Sequence, residues 1–210
     1  MVMPGNDRGC WWGYLCGKYP NRIGSLISPG WWKNPVPFAD YALDNGAFVG
    51  FDELKFMELI EKAKRVKPPK WIVVPDVVGD KAATIRLWNE WESRLRPLRW
   101  PLAMAMQDGM TPKDFRGDVA FIGGSTKWKW RNLRMWADVP RFHVGRVNTE
   151  RHLWQSHEAG AESCDGTGWF RDVEEELPGL LRYLDNSTNG VRNETPELPI
   201  ASALHSNASS

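Results

Sequence analysis

Long apolar runs, paired cysteines and a large net charge of either sign are all missing from this sequence. No stretch approaches the roughly 20 consecutive apolar residues that span a bilayer. The opening Met-Val-Met-Pro-Gly-Asn-Asp has no basic region followed by an apolar one, so the expected location is the cytoplasm, away from membranes. The three cysteines, Cys10, Cys16 and Cys164, are odd in number and form no CxxC pair, which argues against a disulfide framework and a thiolate zinc site. No metal ligand set and no cofactor motif stands out. A formal charge of +1 gives no global attraction to nucleic acid, so any such binding must come from a locally basic surface.

What is present is an ordinary globular composition, 210 residues with 42% hydrophobic and 25% charged, enough for one sizeable core. The sequence divides into a single domain over residues 1–185, opened by an irregular cap rich in Gly, Trp, Tyr and Pro, and a polar, flexible tail over 186–210. Thirteen tryptophans are unusual, since each indole carries an N–H donor that needs a partner when buried.

Short apolar runs at 25–28, 41–44, 71–75, 102–107, 119–122, 141–144 and 161–164 alternate with segments of helical period. That alternation predicts parallel strands joined by crossover helices. Asp52 caps a helix over 51–60, and further helices are expected over 81–95, 149–159 and 174–184. Periodicity alone leaves open a doubly wound sheet or a closed barrel. Seven strands fall one short of a full barrel, so either 13–15 adds an eighth or the ring is incomplete or closed by the N-terminal cap.

Polar residues and glycines recur where these strands end: Leu43-Asp44-Asn45-Gly46, Val74-Pro75-Asp76, Met106-Gln107-Asp108-Gly109, Ile122-Gly123-Gly124, His143-Val144-Gly145-Arg146 and Ser163-Cys164-Asp165-Gly166-Thr167. In a barrel these ends converge on one pocket. At these positions the sequence resembles the tRNA-guanine transglycosylase family, and more closely its phage relatives that place 7-deazaguanines in DNA. Leu43-Asp44-Asn45-Gly46-Ala47-Phe48 is similar to the family's Asp-Ser-Gly-Gly-Phe motif, and Val74-Pro75-Asp76 to its base-reading aspartate segment. Gln107-Asp108-Gly109 and Gly123-Gly124 resemble its Gln-Gly-Gly and Gly-Gly-Leu segments. The stretch from His143 through Asp165 resembles the one carrying the nucleophile.

The resemblance implies a TIM-like α/β barrel in which Asp165 attacks the sugar and Asp44 is the general acid and base. It also implies that Asp76, Gln107, Gly123 and Gly124 bind the base, that the partners are DNA and a free 7-deazaguanine such as preQ0, and that a phage-encoded enzyme works in the host cytoplasm. Asn45 and Ala47 depart from the family's serine and glycine, and no cysteine follows Asp165, so the zinc element of the family's tRNA enzymes has no counterpart.

The residue chemistry agrees with this assignment. A guanine edge offers N1–H and an amine as donors beside a carbonyl, suited by a carboxylate and by an amide or glycine N–H respectively. Base exchange with retention needs a carboxylate nucleophile and an acid to help the base leave.

Lys127-Trp128-Lys129-Trp130-Arg131 reads equally as a grip on phosphates and bases or as a helix with one indole in the core. Arg146 and Arg151 are further phosphate contacts. His143 reads as a hydrogen-bonded structural residue, Cys164 as a small filler, and Asp80 and Asp108 as caps or turn formers. Competing activities are a glycoside hydrolase on a related barrel, base exchange in tRNA, and a non-catalytic nucleic-acid-binding module. An accessory protein or a homodimer remains open.

Overall fold

The computed structural model describes residues 1–5, 10–171 and 173–187. Three of the four expected helices start where a short polar side chain takes up a free backbone N–H. Asp52 accepts from Lys55 N ahead of α2 (Glu53–Ala63), Asp80 from Ala83 N ahead of α3 (Lys81–Leu95), and Thr149 from His152 N ahead of α5 (Glu150–Glu158). Such caps contribute about 1 kcal/mol each. α1 (Cys10–Lys18), α4 (Thr126–Asn132) and α6 (Leu177–Asn186) complete the set.

Eight parallel strands run in the order β1-β8-β7-β6-β5-β4-β3-β2. They are β1 (Val2–Pro4), β2 (Ser25–Ile27), β3 (Tyr41–Leu43), β4 (Ile72–Val73), β5 (Leu102–Met106), β6 (Val119–Ile122), β7 (Phe142–Val144) and β8 (Ser163–Gly166). The fold is a TIM-like α/β barrel. Its last seam, between β1 and β2, is held by a single parallel bridge, Val2 to Ile23, with Val2 N donating to Arg22 O and Gly24 N to Val2 O. Two units are irregular: β2 to β3 crosses without a helix, and β5 to β6 crosses through one 3-10 turn, Pro112–Asp114.

Two expectations change here. The eighth strand is Val2–Pro4, whereas 13–15 lies inside α1. The N-terminal segment is therefore part of the barrel rather than a cap upon it. α6 also runs to Asn186, the first residue of the expected tail, and residues 188–210 lie outside the described residues.

Strand alternation sorts side chains between two cores. Outward residues such as Val2, Ile27, Leu43, Ile72, Met104, Ile122, Val144 and Cys164 meet the helices, while Met3, Leu26, Ala42, Trp71, Val73, Ala103, Ala105 and Val119 fill the barrel interior with Phe121. Trp71 takes the volume that Ala42, Ala103 and Ala105 leave free. Contrary to the sequence expectation, the buried indoles of Trp71, Trp88, Trp136 and Trp169 have no hydrogen-bond partner among the described residues. Also among the described residues, no helix is long and apolar enough to cross a membrane.

Candidate active site

The same alternation that buries 42, 103, 105, 119 and 121 carries Asp44, Gln107 and Gly123 inward one step further along their strands. They meet Asp76, Gly124, Arg146 and Asp165 around one cavity of about 350 Å³ at the carboxyl ends of the strands. All six residues nominated from sequence as catalytic or base-binding, together with Arg146, thus line one space although they come from the ends of six different strands, as the barrel geometry requires.

Asp76 and Gln107 are 7% and 2% exposed and belong to a single network. Asn45 Nδ2 donates to Asp76 Oδ1 at 2.7 Å and to Val74 O at 2.9 Å, and Gln107 Nε2 donates to Asp76 Oδ2 at 2.6 Å. Gln107 Oε1 in turn accepts from Gly79 N at 2.8 Å and Gly124 N at 3.2 Å. These bonds fix the amide orientation of Gln107, because its oxygen faces two donors. Each Asp76 oxygen retains accepting capacity, and Gln107 retains one amide hydrogen. Burial pushes the Asp76 carboxyl up to about 6, partly offset by the Asn45 bond.

Asp44 sits half-buried at the pocket wall, accepting from Ser28 Oγ at 3.0 Å and from Asn45 N at 2.9 Å. Burial, and then the negative charge of Asp165, hold its carboxyl above the ordinary range. Asp165 is 7% exposed. Its Oδ1 meets His143 Nε2 at 2.9 Å, and its Oδ2 accepts from Arg146 N at 3.3 Å.

Glycine is required at two places. Gly124 has φ +59, and a Cβ there would sit 2.5 Å from the Trp128 ring. At Gly145 a Cβ would meet Phe121 at 2.9 Å and Asp165 Oδ1 at 3.4 Å, so its absence leaves room for the carboxylate. Arg146 adopts φ 58, a left-handed conformation rare outside glycine. Its guanidinium donates to Gly124 O and lies 5.1 Å from the Phe48 ring centroid.

The basic residues divide. Arg146 lines the pocket, and Lys127, Arg131 and Arg151 are exposed outside its lining. Lys129 is not a surface contact: it is 1% exposed, with its ammonium donating to Gly145 O. Burial, followed by the charge of Arg146, lowers it to about 8. Trp130 stacks on His152 at 3.9 Å, and Trp128 packs toward buried Trp136. Asp80 caps α3 and Asp108 accepts from Ser125 N and Oγ, so both have the local roles expected of them. Burial drives the Cys164 thiol up to about 12, in keeping with a filler.

Sequence reasoning missed Ser28, Asn148 and Arg171, which line the cavity along with Thr167. Ser28 was within reach, because it continues the inward parity of Leu26. The others sit on loops without periodicity. Among the described residues no group of three or more His, Cys, Asp or Glu side chains could hold a metal ion. A second cavity, about 480 Å³, opens at the opposite end among Arg96, Arg99, Trp100, Pro101, Asp118 and Arg141. There Arg96 pairs with Glu92 and Asp118, and Arg141 with Glu162, the pattern of a stabilising face.

Fold and site together define an α/β barrel with a carboxylate-lined pocket at the strand carboxyl ends. No protein-family model matches the chain, and no curated protein does. Among solved structures, tryptophan synthase from M. tuberculosis in a ligand-free form is 12% identical with a TM-score of 0.52, over 91% of this chain and 92% of that one. A chain of the Amycolatopsis orientalis BexX/CysO complex is 12% identical with a TM-score of 0.50, over 93% of this chain and 94% of that one. At such identities the likeness is one of fold alone.

Proposed function

We propose that this chain is an enzyme, a pentosyltransferase that exchanges a guanine in DNA for a free 7-deazaguanine base such as preQ0. The observation that carries the reading is the convergence of Asp44, Asp76, Gln107, Gly123, Gly124 and Asp165 on one cavity, in the roles their motifs imply.

Asp76, once ionised, accepts from N1–H and the exocyclic amine, and the free amide hydrogen of Gln107 meets the base carbonyl. Asp165 attacks C1′ as the bond to the guanine nitrogen breaks; the bonding pair leaves with the base, which takes a proton from Asp44. The incoming 7-deazaguanine then attacks C1′ and gives its proton to Asp44, and the freed Asp165 carboxylate returns. Two displacements retain the configuration. The raised Asp44 carboxyl favours the protonated form that the first step needs.

Arg146 and Arg171 line the same cavity and supply cations for phosphates flanking an extruded nucleotide. DNA is favoured over tRNA because the strand-end motifs resemble more closely those of the phage relatives that place 7-deazaguanines in DNA. DNA affinity comes from these cations, with a second copy or an accessory protein supplementing it.

The test is incorporation of labelled guanine and preQ0 into duplex DNA, single-stranded DNA and tRNA. Incorporation into DNA that disappears in Asp165→Ala is expected. Release of free base without incorporation would replace this reading with a hydrolase, and incorporation into tRNA alone would reassign the polymer.

A further inference from the structure

His143 is 0% exposed and lies inside the barrel, beyond the pocket floor. Its ring stacks on Phe121 at 4.9 Å and meets the edge of Trp71 at 4.8 Å. Two polar atoms reach it, both from β8: Ser163 Oγ at 2.8 Å from Nδ1 and Asp165 Oδ1 at 2.9 Å from Nε2. Alternation puts Ser163 and Asp165 on the same face of β8, and the register pairs His143 with Ser163. The three side chains therefore form one row across the barrel interior.

We propose that His143 is the positioning residue of Asp165, a neutral imidazole whose Nε2–H holds Oδ1 so that Oδ2 faces the pocket. This rests on Asp165 being the nucleophile of the proposed exchange. An ionised carboxylate can only accept, so the single ring proton belongs on Nε2, and Nδ1 must accept from the Ser163 hydroxyl. Burial, the largest influence, lowers the ring's affinity for a second proton, consistent with the neutral form. The residue types are those of a Ser-His-Asp triad, but their placement is inverted. Ser163 is 2% exposed behind the ring, while Asp165 reaches the cavity. The serine thus sets the tautomer and the carboxylate does the chemistry.

The step this serves is balanced within the exchange already described. An Oδ2 lone pair makes the bond to C1′, the leaving base takes its bonding electrons, and Asp44 supplies the proton. His143 keeps its proton throughout. Charge leaves Oδ1 as the ester carbonyl forms and returns when the second base displaces Asp165. A donor already placed at Oδ1 therefore assists release of the covalent intermediate most.

The experiment compares wild type, His143→Leu, His143→Gln and Ser163→Ala, each checked for folding by thermal melt. Glutamine can place an amide N–H near the position of Nε2, and leucine cannot. In labelled-base exchange, His143→Leu should lose on the order of 100-fold in kcat, with KM for the free base within about threefold and an Asp165–DNA adduct accumulating on denaturing gels. His143→Gln should recover to within about tenfold of wild type. A purely structural role would make kcat follow melting temperature in every variant, without adduct accumulation, and would overturn the proposal.

NMR supplies an arm that does not depend on exchange. Nitrogen-15 shifts should identify the Nε2–H tautomer in wild type, with Nδ1 unprotonated and accepting from Ser163. An Nδ1–H tautomer would overturn the proposal. Absence of exchange by wild type in every polymer would instead remove the transglycosylase reading, leaving the NMR result to decide the positioning role.

Discussion

Asn45 and Asp76, 31 positions apart, are joined by a hydrogen bond of 2.7 Å from the amide nitrogen to Oδ1. The bond ties the end of β3, which carries the proposed acid, to the loop after β4, which carries the proposed base reader. Asn45 Oδ1 also accepts from Ala47 N at 2.8 Å, shaping the turn beneath Phe48. The Asn45 side chain therefore links these two loops through three hydrogen bonds of its own.

Asn45→Ala removes a donor from a buried carboxylate, a loss of about 1.5–3 kcal/mol for a bond to a charged group. The Asp76 pKa should rise further, and binding of a free guanine-like base should weaken by roughly tenfold or more. Isothermal titration against guanine or preQ0 measures the second effect. Unchanged affinity in the folded variant would remove Asn45 from the base-binding network.

Base binding should depend on pH through Asp76. Its carboxyl, lifted to about 6 by burial, accepts from base donors only when ionised, so affinity should fall about tenfold per pH unit below 6. The effect on stability has the opposite sense. Between the ordinary value of 3.8 and 6 the folded state holds a proton that the unfolded state has released, so this group's contribution to stability falls as pH rises through that window. Base titrations at pH 5, 6 and 7 check the first statement, and a flat affinity would contradict it.

Lys129 and Arg146 should respond oppositely to neutralisation. A lysine lowered to about 8 leaves the unfolded state more protonated between 8 and 10.5, so wild-type stability should rise with pH across that window by at most about 3 kcal/mol. Lys129→Met should abolish the rise, stabilise the protein at pH 7 and leave DNA affinity alone. Arg146→Gln should weaken DNA binding and reduce the slope of log K against log salt by about 0.9. Chemical denaturation at several pH values and salt-titrated DNA binding make the comparison.

Gly124→Ala forces a side chain onto φ +59 and against the Trp128 ring and Asp108 Oδ1, at 2.5 and 2.7 Å. Urea denaturation should show a loss of about 1–3 kcal/mol. Base affinity should fall as well, because Gly124 N donates to the Gln107 oxygen. A variant as stable as wild type would mean that the loop after β6 relaxes freely.

Much of the architecture was legible without coordinates. Period-2 and period-3.6 patterns are local properties of the chain, which is why α3 falls on its expected span and β6 on 119–122. Capping is equally local, so Asp52 and Asp80 mark the starts of their helices. β1 was missed because Val2–Pro4 is too short to show a period, and its ladder is with β8 at the far end of the chain.

By itself the sequence determined the succession of strands and helices, the side-chain parity along each strand, and the polar residues that end them. These follow from backbone geometry over a few residues. Only the tertiary structure decided that β1 enters the ring, that Lys129 turns inward to Gly145 O while Arg146 faces the cavity, and that Asn45, Asp76 and Gln107 share one network. It also decided that His143 stands between Ser163 and Asp165. Each of these depends on which strand lies beside which, a relation set by closing the barrel between segments far apart in the chain.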